Sequence, residues 1–551
     1  MYHISTEVLV IGSGGAGLLA AIAAREAGRE VLVVSKAPLG LASCTIMSNG
    51  GFRSAVGGFS QEDHVRVTMQ NGLGLNEPSM VKVLAEESAD AIRGLTRFGV
   101  PVKERKSGFY CHGDDLQLEG ASITRPLAGH VKAMGIQAIT KAVVWDFLMH
   151  DGQVFGAWGY DQIKKDFFSV TAGSMVLAAG GAGGVYSRTD NPNRITGDGY
   201  AAALRAGLEL ADMEFVQFYP VANADPKAPN LFIPPVAADV GLILNKDGEN
   251  IVEKYGITKR PLAVQSRDSL SRAMCLEVMA GRGVNGGVML DFTRADEEAW
   301  LQGERLFGEA RVSKVRDFLE RSYHVSQRPM TVLPTCHFFM GGIAADSGAH
   351  TRLPGLFAAG EVVVGLHGAN RLGGNALSET VVFGARAGKA AARWARGKIP
   401  AEEVRAQAEK GAGALAAALA GNGTAGEALN SVKKLLQNLM WEKVGVIRTG
   451  EGLIRAAAEV AELTPAPRVA DPDNPGQWVV ALELKNMLLV AGAVIAVATA
   501  RVESRGSHYR HDYPQQSTEW EVHQTVRLAG GGWAVDRVAV GELSRPQSWD
   551  S

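Results

Sequence analysis

Glu7-Val8-Leu9-Val10-Ile11-Gly12-Ser13-Gly14-Gly15-Ala16-Gly17 decides the fold. An apolar strand runs straight into a G-x-G-x-x-G turn. The helical run Leu18 to Ala27, then Gly28, then a second strand from Glu30 to Val34 follow. In such a β–α–β unit the first glycine permits a tight turn, the second lets the backbone approach a pyrophosphate, and the third lets helix pack on strand. The helix N-terminus then points its unpaired N–H groups at the phosphates. The motif alone is weak, but with a strand before it and a helix and strand after it, it is a strong dinucleotide-binding signal. The second strand ends in Ser35-Lys36, where an acid for a ribose is usual.

Working outward, Ser43-Cys44-Thr45-Ile46-Met47-Ser48-Asn49-Gly50-Gly51 is a polar, glycine-ended loop of the kind that could wrap a flavin's phosphate and ring. Ser79 to Phe98 carries one apolar side and stops at Gly99. Lys141 to Leu148 and Val154 to Tyr160 alternate as strands about the Asp151-Gly152 turn. Phe167 to Ala179 is a further strand entering Gly180-Gly181-Ala182-Gly183-Gly184, a second ligand-facing turn of a doubly wound sheet. Asp198 in Thr196-Gly197-Asp198-Gly199 is placed to cap the helix Tyr200 to Ala206. From Val216 to Phe338 the pattern loosens into short mixed elements, as in a lid. Leu356 to Glu361 returns to strand character. Gly365 to Ser378 then packs four glycines around Arg371, whose guanidinium suits a two-pronged contact with a carboxylate. Residues 401–500 read as helical, and Glu519 to Leu528 and Trp533 to Val540 as strands.

The bulk composition narrows the function classes. The chain has 551 residues, 66 glycines and a net charge of −2, so no global field recruits nucleic acid or membrane. Cys44, Cys111, Cys275 and Cys336 form no C-x-x-C pair, which argues against a disulfide framework, a metal site or a protein-ligated iron–sulfur cluster. The apolar run Met487 to Ala500 is shorter than the ~20 residues of a membrane span and reads as a buried helix. Strand character from the first residues leaves no room for a signal peptide, so a cytoplasmic protein with no direct membrane insertion is expected.

Taken together, these motifs closely resemble the flavoprotein subunits of succinate dehydrogenase and fumarate reductase, a family that includes L-aspartate oxidase. The resemblance runs nearly end to end. It rests on the N-terminal glycine motif with Ser35-Lys36, on Ser43-x-Thr45 through Gly50-Gly51, and on Asn191-Pro192 with Thr196-Gly197-Asp198-Gly199. It continues through Met213 to Phe218, Arg267-Asp268, Pro334-Thr335-Cys336-His337, Ala359-Gly360-Glu361, Gly365 to Ser378 and Glu503-Ser504-Arg505-Gly506-x-His508.

The resemblance implies an α/β fold. A Rossmann-like FAD-binding domain (1–215 and 339–396) is split by a mobile α+β capping domain (216–338). A helical domain (397–503) and a small C-terminal segment (504–551) follow. It implies an FAD-dependent oxidoreductase acting on the CH–CH bond of a small carboxylic acid. Electrons would be exchanged with an iron–sulfur or other redox partner subunit, through which any membrane association would arise. FAD would lie along Gly12 to Gly17, with Glu361 on its ribityl chain, Asp198 near it, and Ala376-Leu377 on the isoalloxazine. Relatives tether FAD through a His between the Ser and Thr of the second loop; Cys44 stands there, and noncovalent FAD is expected.

For substrate, His337 and Arg371 would hold one carboxylate and Arg267 would transfer the proton. The other half of the pocket departs from the family pattern: Tyr219, Ile233, Pro234 and Ala237 stand where a second carboxylate clamp and a Glu/Arg relay are usual. A second carboxylate without partners would cost several kcal/mol. The expected substrate is therefore an α,β-unsaturated acid with one carboxylate and a less polar or aromatic far end, contacted by Tyr219. Asp239, Lys246, Tyr255 and Arg272 are candidates for a rebuilt relay. The alternatives are a true fumarate reductase or succinate dehydrogenase subunit, L-aspartate oxidase, and a non-catalytic FAD-binding electron-transfer subunit.

Overall fold

The computed structural model describes residues 1–111, 113, 118–225, 232–394, 399–420, 426–465, 467–543 and 545. The expected boundary between residues 396 and 397 lies outside these residues. The strand that opens the glycine motif is longer than its apolar core, Tyr2–Ile11, because pairing with Asp166–Leu177 begins at Tyr2. It is central in the main sheet, parallel to Val31–Ser35 on one side and to Asp166–Leu177 on the other. Gln137–Thr140 extends the parallel half, while Gln153–Asp161 and Ala142–His150 add an antiparallel half. Leu356–Ala358 joins Asp166–Leu177 in parallel after 178 intervening residues, so the chain returns to the sheet it left.

The excursion forms its own layer. Val216–Asn223, Met330–Phe339, Val288–Asp291 and Leu242–Leu244 make an antiparallel sheet, with Arg267–Glu277, Glu297–Phe307 and Glu309–Tyr323 among its helices. Its apolar core, which includes Tyr219, Val221, Ile233, Leu270 and Val332, is separate from that of the main sheet.

Four helices follow, Ala401–Leu419, Gly426–Val444, Gly450–Leu463 and Pro475–Ala500. The last is longer than the apolar run expected there, because it continues through Glu483 and Asn486. Among the described residues it alone is long and apolar enough to cross a membrane, yet 78% of its apolar window is buried inside the protein. Glu483 pairs with Lys36 at 2.8 Å, Lys433 at 3.1 Å and Arg194 at 3.4 Å. Asn486 donates to Asp198 at 2.8 Å.

Asp198 does not cap its helix, as the sequence suggested. The helix begins at Asp198 with Gly197 in the left-handed region at φ +79° before it, and the Asp198 carboxylate instead accepts from Lys36 and Asn486. The Pro78–Arg93 helix also ends earlier than its periodicity implies, tightening into a 3-10 turn over Gly94–Phe98 before Gly99.

A buried charged seam fastens the C-terminal hairpin, Val522–Ala529 and Gly532–Ala539, to the rest. His523 lies 2.5 Å from Asp212 and 3.0 Å from Glu77. Burial pulls its pKa down, but the Asp212 and Glu77 carboxylates outweigh that and raise it to about 10. A raised imidazole pKa contributes stability that is complete below the unfolded value and lost as pH climbs through the folded one. The thermal midpoint should therefore fall between pH 6.5 and 10. A His523→Gln protein should melt lower and lack that fall. An equal decline in both would overturn the assignment.

Candidate active site

The C-terminal ends of the parallel strands open into a cavity of about 370 Å³ whose wall includes Gly12, Ser13, Gly14, Gly15 and Ala16. The helix behind them, Gly15–Glu26, has Gly14 at its cap position, no side-chain cap and no acid in its first turn. Its positive end is therefore open to an anion. At Gly12 the backbone takes φ +107°, and a Cβ would lie 2.1 Å from Ala178 O. Gly17 does not reach the cavity. A Cβ there would lie 2.1 Å from Gly12 O, so its part is the close packing of helix on turn. Thr45 Oγ1 accepts from Gly15 N at 3.0 Å, which draws the second loop onto the first. From that loop Ser43, Cys44, Thr45, Asn49 and Gly51 line the cavity. Gly50 does not; its carbonyl accepts from Cys111 N at 2.8 Å. Ser35, Lys36, Gly180, Asp198, Glu361, Ala376 and Leu377 all face the cavity.

These residues fit FAD. Among the described residues the buried Asn49 Oδ1 has no hydrogen-bond partner, and the helix end has no side-chain cap, which suits a phosphate. Where a ribose acid is usual, Lys36 is neutralised by Asp198 and Glu483, both 2.8 Å away. The Glu361 carboxylate accepts from Phe339 N at 3.0 Å and from the Cys44 thiol. Burial raises its pKa to about 7. Burial, then the Glu361 charge, pushes the Cys44 thiol well up, away from thiolate.

Three cationic or basic groups from different elements meet at the other end. Arg371, 6% exposed, has an Nε with no partner among the described residues and stacks over Phe338 at 4.7 Å. Burial and the neighbouring Arg267 lower its pKa to about 9 against the pull of Glu361, Glu379 and Asp190, so it stays charged at neutral pH. Arg267 donates to Ala263 O at 2.9 Å and to Gln217 Oε1 at 3.0 Å, and burial lowers its pKa. Gln217 in turn donates to Arg371 O at 3.0 Å and Asn370 Oδ1 at 2.9 Å. One amide thus ties the Arg267 guanidinium to the backbone of Arg371. His337 Nδ1 lies 2.8 Å from Asp190 Oδ2.

Tyr219 requires a correction. It is 1% exposed, does not line the cavity, and donates its hydroxyl to Ile233 O at 2.7 Å. Its ring packs 5.7 Å from that of His337. Ile233 and Ala237 are likewise buried, and Pro235 rather than Pro234 reaches the cavity. The far wall is Pro235, Val264, Phe307 and Arg311. Arg311 is paired with the buried Glu119, so the wall carries no net charge there.

None of the relay candidates touches Arg267. Asp239 pairs with Arg260 and accepts from Leu262 N, Tyr255 donates to Glu277, Arg272 stacks on Tyr509, and the Lys246 backbone N–H donates to Arg282 O. Sequence reading missed Asp190, Gln217 and Arg311. Gln217 lay inside a quoted motif; Asp190, one residue before Asn191-Pro192, and Arg311 carried no spacing signal.

The fold and the cavity define an FAD-binding α/β oxidoreductase with a capping layer. The FAD binding domain family matches residues 7–377, and the fumarate reductase flavoprotein C-terminal family matches 433–540. The chain belongs to the succinate dehydrogenase/fumarate reductase flavoprotein family and is an FAD-dependent oxidoreductase acting on CH–CH groups. One chain of the fumarate reductase (CoM/CoB) of Methanothermobacter marburgensis is 35% identical over 94% of this chain and 96% of its own length. The fumarate reductase flavoprotein subunit of Mycobacterium tuberculosis is 32% identical over 94% of each. The FrdA chain of E. coli quinol fumarate reductase superposes with a TM-score of 0.87 at 28% identity, covering 100% of this chain and 99% of that one.

Proposed function

We propose that the protein reduces, or forms, the C=C bond of an α,β-unsaturated acid bearing one carboxylate, with Arg371 binding that carboxylate. The observation that carries this reading is Arg371 itself, a buried guanidinium whose Nε has no hydrogen-bond partner among the described residues. Bound FAD supplies the hydride acceptor or donor. Arg371 orients the acid by a two-pronged contact and draws electron density from the alkene. Arg267, with its pKa lowered by burial, holds the proton for the neighbouring carbon. Pro235, Val264 and Phe307 exclude water around an apolar far end.

In this reading residues 216–338 form the cap, and FAD is held without a covalent tether because the Cys44 thiol stays protonated. Electrons pass to or from an iron–sulfur or other redox subunit on a separate chain, as the four cysteines are not grouped. Any membrane attachment is through that partner, since the Pro475–Ala500 helix is buried. A dicarboxylate substrate, as the name of the Methanothermobacter relative indicates for that protein, is favoured by one observation, the further guanidinium of Arg311 on the wall. Glu119 neutralises it.

The test is to reduce the protein's flavin anaerobically and add crotonate, cinnamate, fumarate, oxaloacetate with ammonia, and oxygen in turn. Flavin absorbance should return fastest with a one-carboxylate enoate, and acid should release the flavin into solution. High-affinity reoxidation by fumarate would overturn the one-carboxylate reading. Reoxidation by none of the acids would favour a non-catalytic electron-transfer subunit.

A further inference from the structure

A neutral imidazole has one N–H donor and one bare acceptor nitrogen. His337 commits its donor to Asp190, since Nδ1 faces Asp190 Oδ2 at 2.8 Å. Asp190 is 6% exposed, and its other oxygen accepts from Asn191 Nδ2 at 3.0 Å. Asn191 also donates to His337 O at 3.0 Å, and Thr189 donates to Cys336 O at 3.0 Å. Residues 189–191 are thus laced along the strand that carries His337. This fixes the proton on Nδ1 and leaves Nε2 as a bare acceptor. A bare acceptor repels a carboxylate.

The charged and titratable groups around the ring come from four elements. Asp190 lies on the 189–191 segment, Arg371 on the glycine-rich loop and Arg267 on the cap helix. Tyr219, from the neighbouring cap strand, is a neutral phenol whose pKa is raised by burial. Burial and the two arginines oppose a charge on His337, Asp190 favours one, and the net result is a pKa below the ordinary value. A carboxylate arriving on Arg371 adds a second negative charge beside the ring and tips this balance.

We infer that His337 takes up a proton on Nε2 from solvent as the substrate carboxylate binds, and that Asp190 is the positioning residue that enables it. The step makes one N–H bond and breaks none in the protein. Carboxylate and imidazolium then pair directly, with Asp190 holding the opposite N–H. The inference rests on the carboxylate reading of Arg371 given above. Its consequence has a definite sign. Binding weakens as pH rises, by about tenfold per pH unit, between the pKa of His337 in the free enzyme and its value in the complex.

The test uses the oxidised, FAD-loaded protein, which cannot reduce an enoate. It is titrated calorimetrically with crotonate, cinnamate and fumarate at pH 7.5 in buffers of different ionisation enthalpy. About one proton should be taken up per carboxylate ligand bound. Asp190→Asn should cut that uptake by at least half and weaken binding about tenfold, with the flavin spectrum retained. His337→Gln, whose amide already offers an N–H, should bind with no uptake and no pH slope. Should Asp190→Asn fail to fold, the wild-type and His337→Gln pair carries the test. Carboxylate binding by wild type without proton uptake overturns this inference alone. Failure of every acid to bind overturns the underlying assignment of Arg371 instead.

Discussion

An Arg267→Ala enzyme should keep its FAD and lose turnover by about 10³-fold. Arg267 is anchored on the cap helix by Ala263 O and Gln217, and its neighbours are Tyr219 and Asp190, with no acid among the described residues in hydrogen-bond contact. Burial weakens its hold on a proton, which is the change an arginine needs to serve as an acid. The walls assigned to the cofactor are built from other elements, so flavin absorbance should persist in the variant. Arg267→Lys should restore little, because an ammonium cannot keep both the contact to Ala263 O and that to Gln217 while reaching substrate. The measurement is single-turnover reoxidation of reduced flavin by the best enoate. A variant retaining a tenth of the wild-type rate, or one that loses FAD, would refute the assignment.

A second large effect is expected far from the chemistry, at Gly506. A Cβ there would lie 2.3 Å from Ala369 O and 2.7 Å from its carbonyl carbon, and the residue sits at φ +54°. Ser507 N donates to the same Ala369 O at 3.1 Å. On the other side Ala369 N donates to Gly72 O at 2.9 Å. The loop is therefore pinched between two backbones two residues before Arg371. Gly506→Ala must push this loop, and misplacing a binding group by about 1 Å can lower catalysis about 10²-fold. Raised KM with a lower thermal midpoint is the expected result. Gly530→Ala separates strain from displacement. It has a similar φ of +56° but nothing within 4 Å, so it should lose about 1–2 kcal/mol of stability at most and leave KM alone. Equal KM effects from both substitutions would sink the argument.

The sequence carried most of the cofactor half. Glycine turns are legible because their spacing is imposed by backbone geometry, and Gly12, Gly14 and Gly15 stand where that geometry requires. Arg267, His337 and Arg371 were legible through the motifs around them, and all three meet in one cavity. Tyr219 misled because sequence reports a side chain's chemistry but not where it is spent; here Ile233 O consumes the hydroxyl. Asp198 misled in the same way, since a cap position looks vacant until Lys36 arrives from the second strand. Asp190 and Arg311 were invisible because their partners, His337 and Glu119, lie 147 and 192 residues away.

The clasp between Glu483 and the cofactor half has a consequence for cooperativity and for the choice of surrounding medium. Three cations hold the Glu483 pKa at about 2 against the pull of burial, and one of them, Lys36, belongs to the cavity wall. The Pro475–Ala500 helix therefore cannot detach without separating Glu483 from Lys36 and Asn486 from Asp198. Cofactor half and helical region should melt in one transition, and FAD, by mass action on the folded state, should protect both. The same carboxylate keeps the helix out of lipid, because hydrocarbon would have to accept a charge that three partners now hold. A segment with the length and composition of a membrane anchor is thereby held in the protein interior by its apolar packing together with one charged residue in its first half.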